Sequence, residues 1–132
     1  MNHYLHRPSD YQPKDTYSPA LGKAILHVLS RHIGLEEAIG RQQLIKQPEI
    51  KACGVGERVV RDTIRLLRRD GHLICSAPGA EGGYYLPSSW EEFDVFAAAE
   101  YQAKISDMSV TLAAMKKAAR QRWGEARQPS LI

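Results

Sequence analysis

The sequence has little cysteine. Cys53 and Cys75 are the only two, far apart and with no nearby cysteine or Cys-x-x-Cys spacing. A disulfide framework and a cysteine zinc site are therefore not expected, and a reducing, cytoplasmic compartment suits the chain. Both read as small buried hydrophobes. Long apolar runs are also missing. None approaches the roughly 18 residues of a membrane span, so no membrane partner is expected. The opening stretch MNHYLHRPSDYQPKD has no apolar segment behind a basic start, which argues against a secretory leader.

Catalytic signatures are lacking as well. The five histidines are His3, His6, His27, His32 and His72, and none belongs to a recognised metal-ligand motif with Cys, Asp or Glu. His27 and His32 share a helical stretch at i,i+5, poor geometry for one ion. There is no phosphate-cradling glycine loop ending in Lys-Ser/Thr, no nucleophile elbow and no paired-carboxylate motif. Glu36-Glu37 and Glu91-Glu92 read as helix-start caps. The sequence thus predicts no enzyme, no catalytic residue, no metal, no cofactor and no small-molecule effector.

What is present is a chain of 132 residues, 43% hydrophobic and 25% charged, enough for one globular domain with an arm or tail. The formal net charge is +3. Between Lys51 and Gly71, six basic residues (Lys51, Arg58, Arg61, Arg65, Arg68, Arg69) oppose three acidic ones (Glu57, Asp62, Asp70), so this segment holds the entire excess. A concentrated basic stripe points to a polyanionic partner more strongly than diffuse charge does.

Residues 1–18 hold Pro8 and Pro13 among polar residues and show no apolar period, so they read as a flexible arm. Leu21, Ile25, Val28 and Leu29 then recur at helical spacing, predicting a first helix over Ala20 to His32 that begins behind Pro19 and stops before Gly34. A short strand is expected near Ile39. A second short helix spans Arg41 to Lys46 with Leu44 and Ile45 inward, and Pro48 opens a further turn over Glu49 to Ala52. Cys53-Gly54-Val55-Gly56 is a tight turn. A third principal helix runs from Glu57 to Asp70, seated by Val60, Ile64 and Leu67, with Val59, Thr63 and Leu66 flanking and Gly71 as its stop. His72 to Cys75 and Tyr84 to Pro87 are strand-like on either side of a glycine-rich tip at Pro78–Gly83, which makes a hairpin.

The resulting order is helix, short strand, helix, glycine turn, basic helix, hairpin: the layout of a winged helix-turn-helix. The fold class is mainly α with a small β-hairpin, followed by one long C-terminal helix. In the basic helix, Arg58, Arg61, Arg65 and Arg68 fall at spacings of three, four and three, a ridge roughly opposite the apolar seat. Gly56, Glu57, Arg58, Arg61 and Asp62 lie near the helix start and would enter a major groove first. Arg58 and Arg61 suit guanine edges, and Glu57 or Asp62 suits cytosine or the orientation of the arginines. Arg65, Arg68 and Arg69 suit phosphates. A solvated face with Glu57–Arg61 and Asp62–Arg65 pairs is the alternative. Against it, all five basic residues of this helix are arginine, the side chain suited to bidentate recognition. On the second strand, one of Tyr84 and Tyr85 should face the core and the other a sugar-phosphate backbone; Tyr84 is taken as the contact. The tip carries Glu81 and no Lys or Arg.

These residues carry a family resemblance. Gly54-Val55, Val60-Arg61-Asp62-Thr63-Ile64-Arg65-Leu66-Leu67, Gly71 and Gly82-Gly83-Tyr84-Tyr85-Leu86 resemble winged-helix domains of the biotin-repressor-like and DeoR-like type. The likeness covers Arg41 to Pro87, about a third of the chain. It implies sequence-specific binding of double-stranded DNA and a role in transcription regulation. The ligase, sensor or sugar-phosphate domain that follows the wing in those families has no counterpart here. The domain-plus-helix layout is similar to small winged-helix proteins of phage or mobile-element origin.

Ser88-Ser89-Trp90-Glu91-Glu92 is a capping-box signature, and no proline or glycine follows until past Trp123. One long helix is expected there, with Trp90, Phe93, Phe96 and Ala97 folded back on the wing and first helix. Tyr101, Ile105, Met108, Leu112, Met115 and Ala119 form a heptad-like seam. Residues 90–107 carry net −4 and residues 108–127 net +4. An antiparallel homodimer sets acid against base, so the seam is expected to be a dimer interface. The expected organisation is 1–18 arm, 19–88 winged helix-turn-helix domain, 89–123 dimerisation helix and 124–132 tail. A second function class is a winged-helix protein-interaction adapter that docks through the C-terminal helix.

Overall fold

The computed structural model describes residues 16–79 and 82–125. Most of the expected arm, the tip pair at 80–81 with Glu81, and the tail beyond 125 lie outside the described residues. The chain divides into two compact units, Met1–Phe93 and Asp94–Ile132. It is mostly helical, with a two-stranded antiparallel hairpin and a long C-terminal helix. None of the described helices is long and apolar enough to cross a membrane.

In the first unit, α1 (Pro19–Leu29) starts at Ser18, whose hydroxyl accepts from the Leu21 amide, and Pro19 occupies the first turn. It buries Leu21, Ile25, Val28 and Leu29, the stripe the sequence announces. The helix ends at Leu29, short of His32, because the next residues are used in pairing. The His32 carbonyl accepts from the Leu86 amide, and the Gly34 amide donates to the Leu86 carbonyl. A 3-10 turn (Leu35–Glu37) leads to Ile39. Helices α2 (Arg41–Ile45) and α3 (Pro48–Lys51) follow, burying Leu44 and Ile50. Helix α4 (Glu57–Arg69) packs against α1 through Val60, Ile64 and Leu67, with Thr63 and Leu66 also buried. The buried Thr63 hydroxyl is satisfied by the Val59 carbonyl one turn back, at 2.8 Å.

Helix α4 stops as the sequence predicts. Gly71 has φ +97°, its amide donates to the Arg68 carbonyl, and the His72 amide reaches back to the Leu67 carbonyl. These two bonds are the Schellman pattern, and the positive φ is what requires glycine there.

Strands β1 (Cys75–Ser76) and β2 (Tyr84–Tyr85) pair antiparallel, Cys75 opposite Tyr85 and Ser76 opposite Tyr84. The expected strand from His72 begins only at Cys75. On its other side β2 bonds Ile39, with Ile39 and Tyr84 exchanging both amide-carbonyl bonds at 2.9 Å. The short strand expected near Ile39 is therefore present as a bridge, and β2 lies in the middle.

Helix α5 (Trp90–Ala97) begins with the predicted box in a modified form. Ser89 Oγ accepts from the Glu92 amide. The Glu92 carboxylate accepts from the amide and hydroxyl of Ser88, and with its second oxygen from the Leu35 amide at 2.9 Å. One side chain thus ties the α5 start to the 3-10 turn. These amides, Leu35 first, hold the Glu92 carboxyl below its usual range.

The long C-terminal helix is present, with five π-helical residues, Ala98–Gln102, between α5 and α6 (Ala103–Trp123). No proline or glycine marks the site. The π turn brings residues five apart onto one side, and the Phe96 and Tyr101 rings meet edge-on with centroids 5.8 Å apart. Trp90 does not fold back. It is 72% exposed and leans on Phe93, ring centroids 5.9 Å apart.

Candidate nucleic-acid interface

Helix α4 carries the basic stripe and is fixed along its apolar side, so its arginines are positioned by a rigid support. Gly56 is its N-cap. The backbone there is extended and no side chain caps the helix, as expected for glycine. Gly56, Arg58, Arg61 and Arg69 are exposed, whereas Glu57, Asp62, Arg65 and Arg68 are half-buried. Glu57 receives a long contact from the Gln42 amide nitrogen, 3.4 Å away, which links the starts of α2 and α4.

Two expected contacts are placed differently. Arg68 does not stand outward for phosphate. Its Nε donates to the Ile74 carbonyl and its Nη2 to Ser76 Oγ, both at 2.7 Å, so it stitches α4 to the hairpin. Helical rotation explains this: at about 100° per residue, Arg68 lies only about 40° round from buried Ile64. Arg65 is intermediate, with one guanidinium nitrogen sequestered and no hydrogen-bond partner for it among the described residues.

Tyr84 is the second correction. Neither tyrosine faces outward: Tyr84 is 8% exposed and Tyr85 3%. Alternation does separate them, but both faces of the central strand are covered. Tyr84 joins the hydrophobic core, and Tyr85 lies beside Cys75 and Glu92. Burial pushes the Tyr84 hydroxyl above its usual range, and the nearby charges of Arg68, Arg41 and Arg61 act in the opposite direction.

That neighbourhood reveals a residue the sequence reading missed. Arg41, the first residue of α2, lies against the hairpin: a Cβ at Gly82 would run into its guanidinium. Arg41 and Arg61 therefore converge near Tyr84 from different helices. The only sequence signal was a basic residue directly after Gly40. Folding of the hairpin onto α2 is needed to see its company.

The backbone under this site is tight. Gly83 has φ +119°, and a Cβ there would stand 2.6 Å from the Ile39 carbonyl oxygen. Glycine at 83 is what lets the hairpin pass the Ile39 bridge so closely.

In the second unit, the expected interface residues Tyr101, Ile105, Met108, Leu112 and Met115 are all exposed. Tyr101 belongs to the π turn and the other four to α6. Set against protein-family models, curated proteins and solved structures, the chain matches none.

Proposed function

We propose that this protein binds double-stranded DNA sequence-specifically as a homodimer, through a winged helix-turn-helix in its first unit, and acts as a transcriptional regulator of the phage or mobile-element type. Helices α2 and α3, the glycine turn and α4 form the helix-turn-helix. The hairpin is the wing, with the Ile39 bridge as its third strand. The observation that carries the reading is the exposure of Arg58, Arg61 and Arg69 on a helix whose other side is locked into the core. Arg58 and Arg61, near the helix start, read base edges; Arg69 and Arg41 hold phosphates. Arg68 and Tyr84 support the wing from within.

The test is a gel-shift titration against salt. Binding through arginine–phosphate contacts weakens steeply with added salt, with a log–log slope of about −0.9 per phosphate neutralised. Substituting Arg58→Ala together with Arg61→Ala removes preference among duplexes. The exposed apolar side chains of α6 favour a second reading, an adapter that docks on another protein. Absence of salt-sensitive binding to any duplex selects that reading.

A further inference from the structure

The apolar positions of α6, Ile105, Met108, Leu112 and Met115, are spaced three, four and three. The pattern reads the same from either end and has its midpoint at Val110. Tyr101 and Ala119 extend it by four residues on each side. Each of the four α6 side chains is more than half exposed. Charge is graded along the same stretch: Glu100 and Asp107 stand toward the start, with Lys104 between them, and Lys116, Lys117, Arg120 and Arg122 stand toward the end of α6. A palindromic apolar row whose flanking charge changes sign from one end to the other suits pairing with a reversed copy.

Resting on the homodimer reading, we propose that α6 pairs antiparallel with α6 of a second copy in a single register, with the two-fold axis level with Val110. Ile105 then meets the partner's Met115, and Met108 meets the partner's Leu112. Sliding one copy by a heptad toward its C-terminus sets Ile105 against the partner's Arg122, a guanidinium without a countercharge in an apolar seam. The opposite slide sets Ala119 against the partner's Asp94, a carboxylate in an apolar seam. Only the central register keeps the layers apolar from Tyr101 to Ala119.

Charge agrees with this choice. Glu100 stands level with the partner's Arg120, and Asp107 lies toward the basic half of the other helix. Lys104 is level with the partner's Lys116, but its ammonium is already bound by Glu100 on its own helix at 2.8 Å. A parallel pair would instead gather the basic ends of both helices together, with Lys116, Lys117, Arg120 and Arg122 level with their own copies.

Nitroxide labels at Ala103, Val110 and Lys117 test the register. These exposed positions are seven apart, on the side of the helix away from the seam. The full chain in a Cys53→Ser background is used, with Cys75 left buried, and label-to-label distances are measured by pulsed dipolar spectroscopy without DNA. The expected result is the shortest distance at 110 and longer, matching distances at 103 and 117, where the twins are offset by about 21 Å along the axis. Equal distances at all three positions, unequal ones at 103 and 117, or no coupling at about 100 µM protein overturns the proposal. An unlabelled Met108→Asp chain gives an independent reading. It should sediment as a monomer with unchanged helical circular dichroism, and a persistent dimer overturns the seam. Since no duplex is present, loss of pairing and loss of DNA binding are separate outcomes.

Discussion

Arg68 and Ser76 are joined across the turn between α4 and β1, the guanidinium Nη2 donating to the serine hydroxyl at 2.7 Å while Nε holds the Ile74 carbonyl. A side chain in this position maintains the fold rather than meeting a ligand. Arg68→Ala should cost about 1.5–3 kcal/mol in denaturant unfolding, the range for half-buried hydrogen bonds to a charged group. Arg61→Ala should leave the unfolding midpoint nearly unchanged and instead make the salt slope of duplex binding shallower or relax its sequence preference. Equal stability losses in the two variants would show that they do not play these separate roles.

Gly83 meets two constraints at once, a left-handed backbone and the Ile39 carbonyl 2.6 Å from any added Cβ. Gly83→Ala should destabilise by about 2 kcal/mol or more, read as a lowered melting temperature. Gly56, with open space around its missing side chain, should behave in the opposite way. Gly56→Ser supplies the absent N-cap and should gain a few tenths of a kcal/mol.

Glu92 links pH to stability. Its folded carboxyl titrates below the ordinary 4.5, chiefly through the Leu35 and Ser88 amides. A depressed folded value means the contribution is present above the unfolded value and is lost as pH falls through the folded one. Thermal unfolding at a series of pH values should show Glu92→Gln less stable than the parent at pH 7. The gap should close as pH drops below about 4.5. A gap that stays constant down to pH 3 would remove the carboxylate from the explanation.

The two cysteines should be chemically unequal. Burial pushes the Cys75 thiol up to about 11, while Cys53 is only half-buried. A native-state thiol titration at pH 8 should therefore register one fast thiol, absent in Cys53→Ser, and the second only on unfolding.

Where local chemistry decides, the sequence was readable. The stripe from Leu21 to Leu29 announces α1, Gly71 announces the end of α4, and Ser89 with Glu92 announces the start of α5, because each signal acts within about two turns of chain. Where distant segments meet, it was not. Arg68 looks like a member of an outward ridge until the hairpin offers Ile74 and Ser76 to its donors. Tyr84 looks like an alternating surface residue until Ile39 closes the far side of β2. Glu92 reads as a cap, but its bond to Leu35 joins residues 57 apart in the chain. The π turn at Ala98–Gln102 lies in good helix formers and has no breaker to betray it.

The turn at Gly82 restricts how this hairpin can vary. The Arg41 guanidinium above it is the far end of a flexible chain and can swing aside, whereas the left-handed backbone, φ +62°, cannot. In a randomised library selected for retained folding, glycine should therefore predominate at 82 whatever residue stands at 41, with asparagine the next most tolerated.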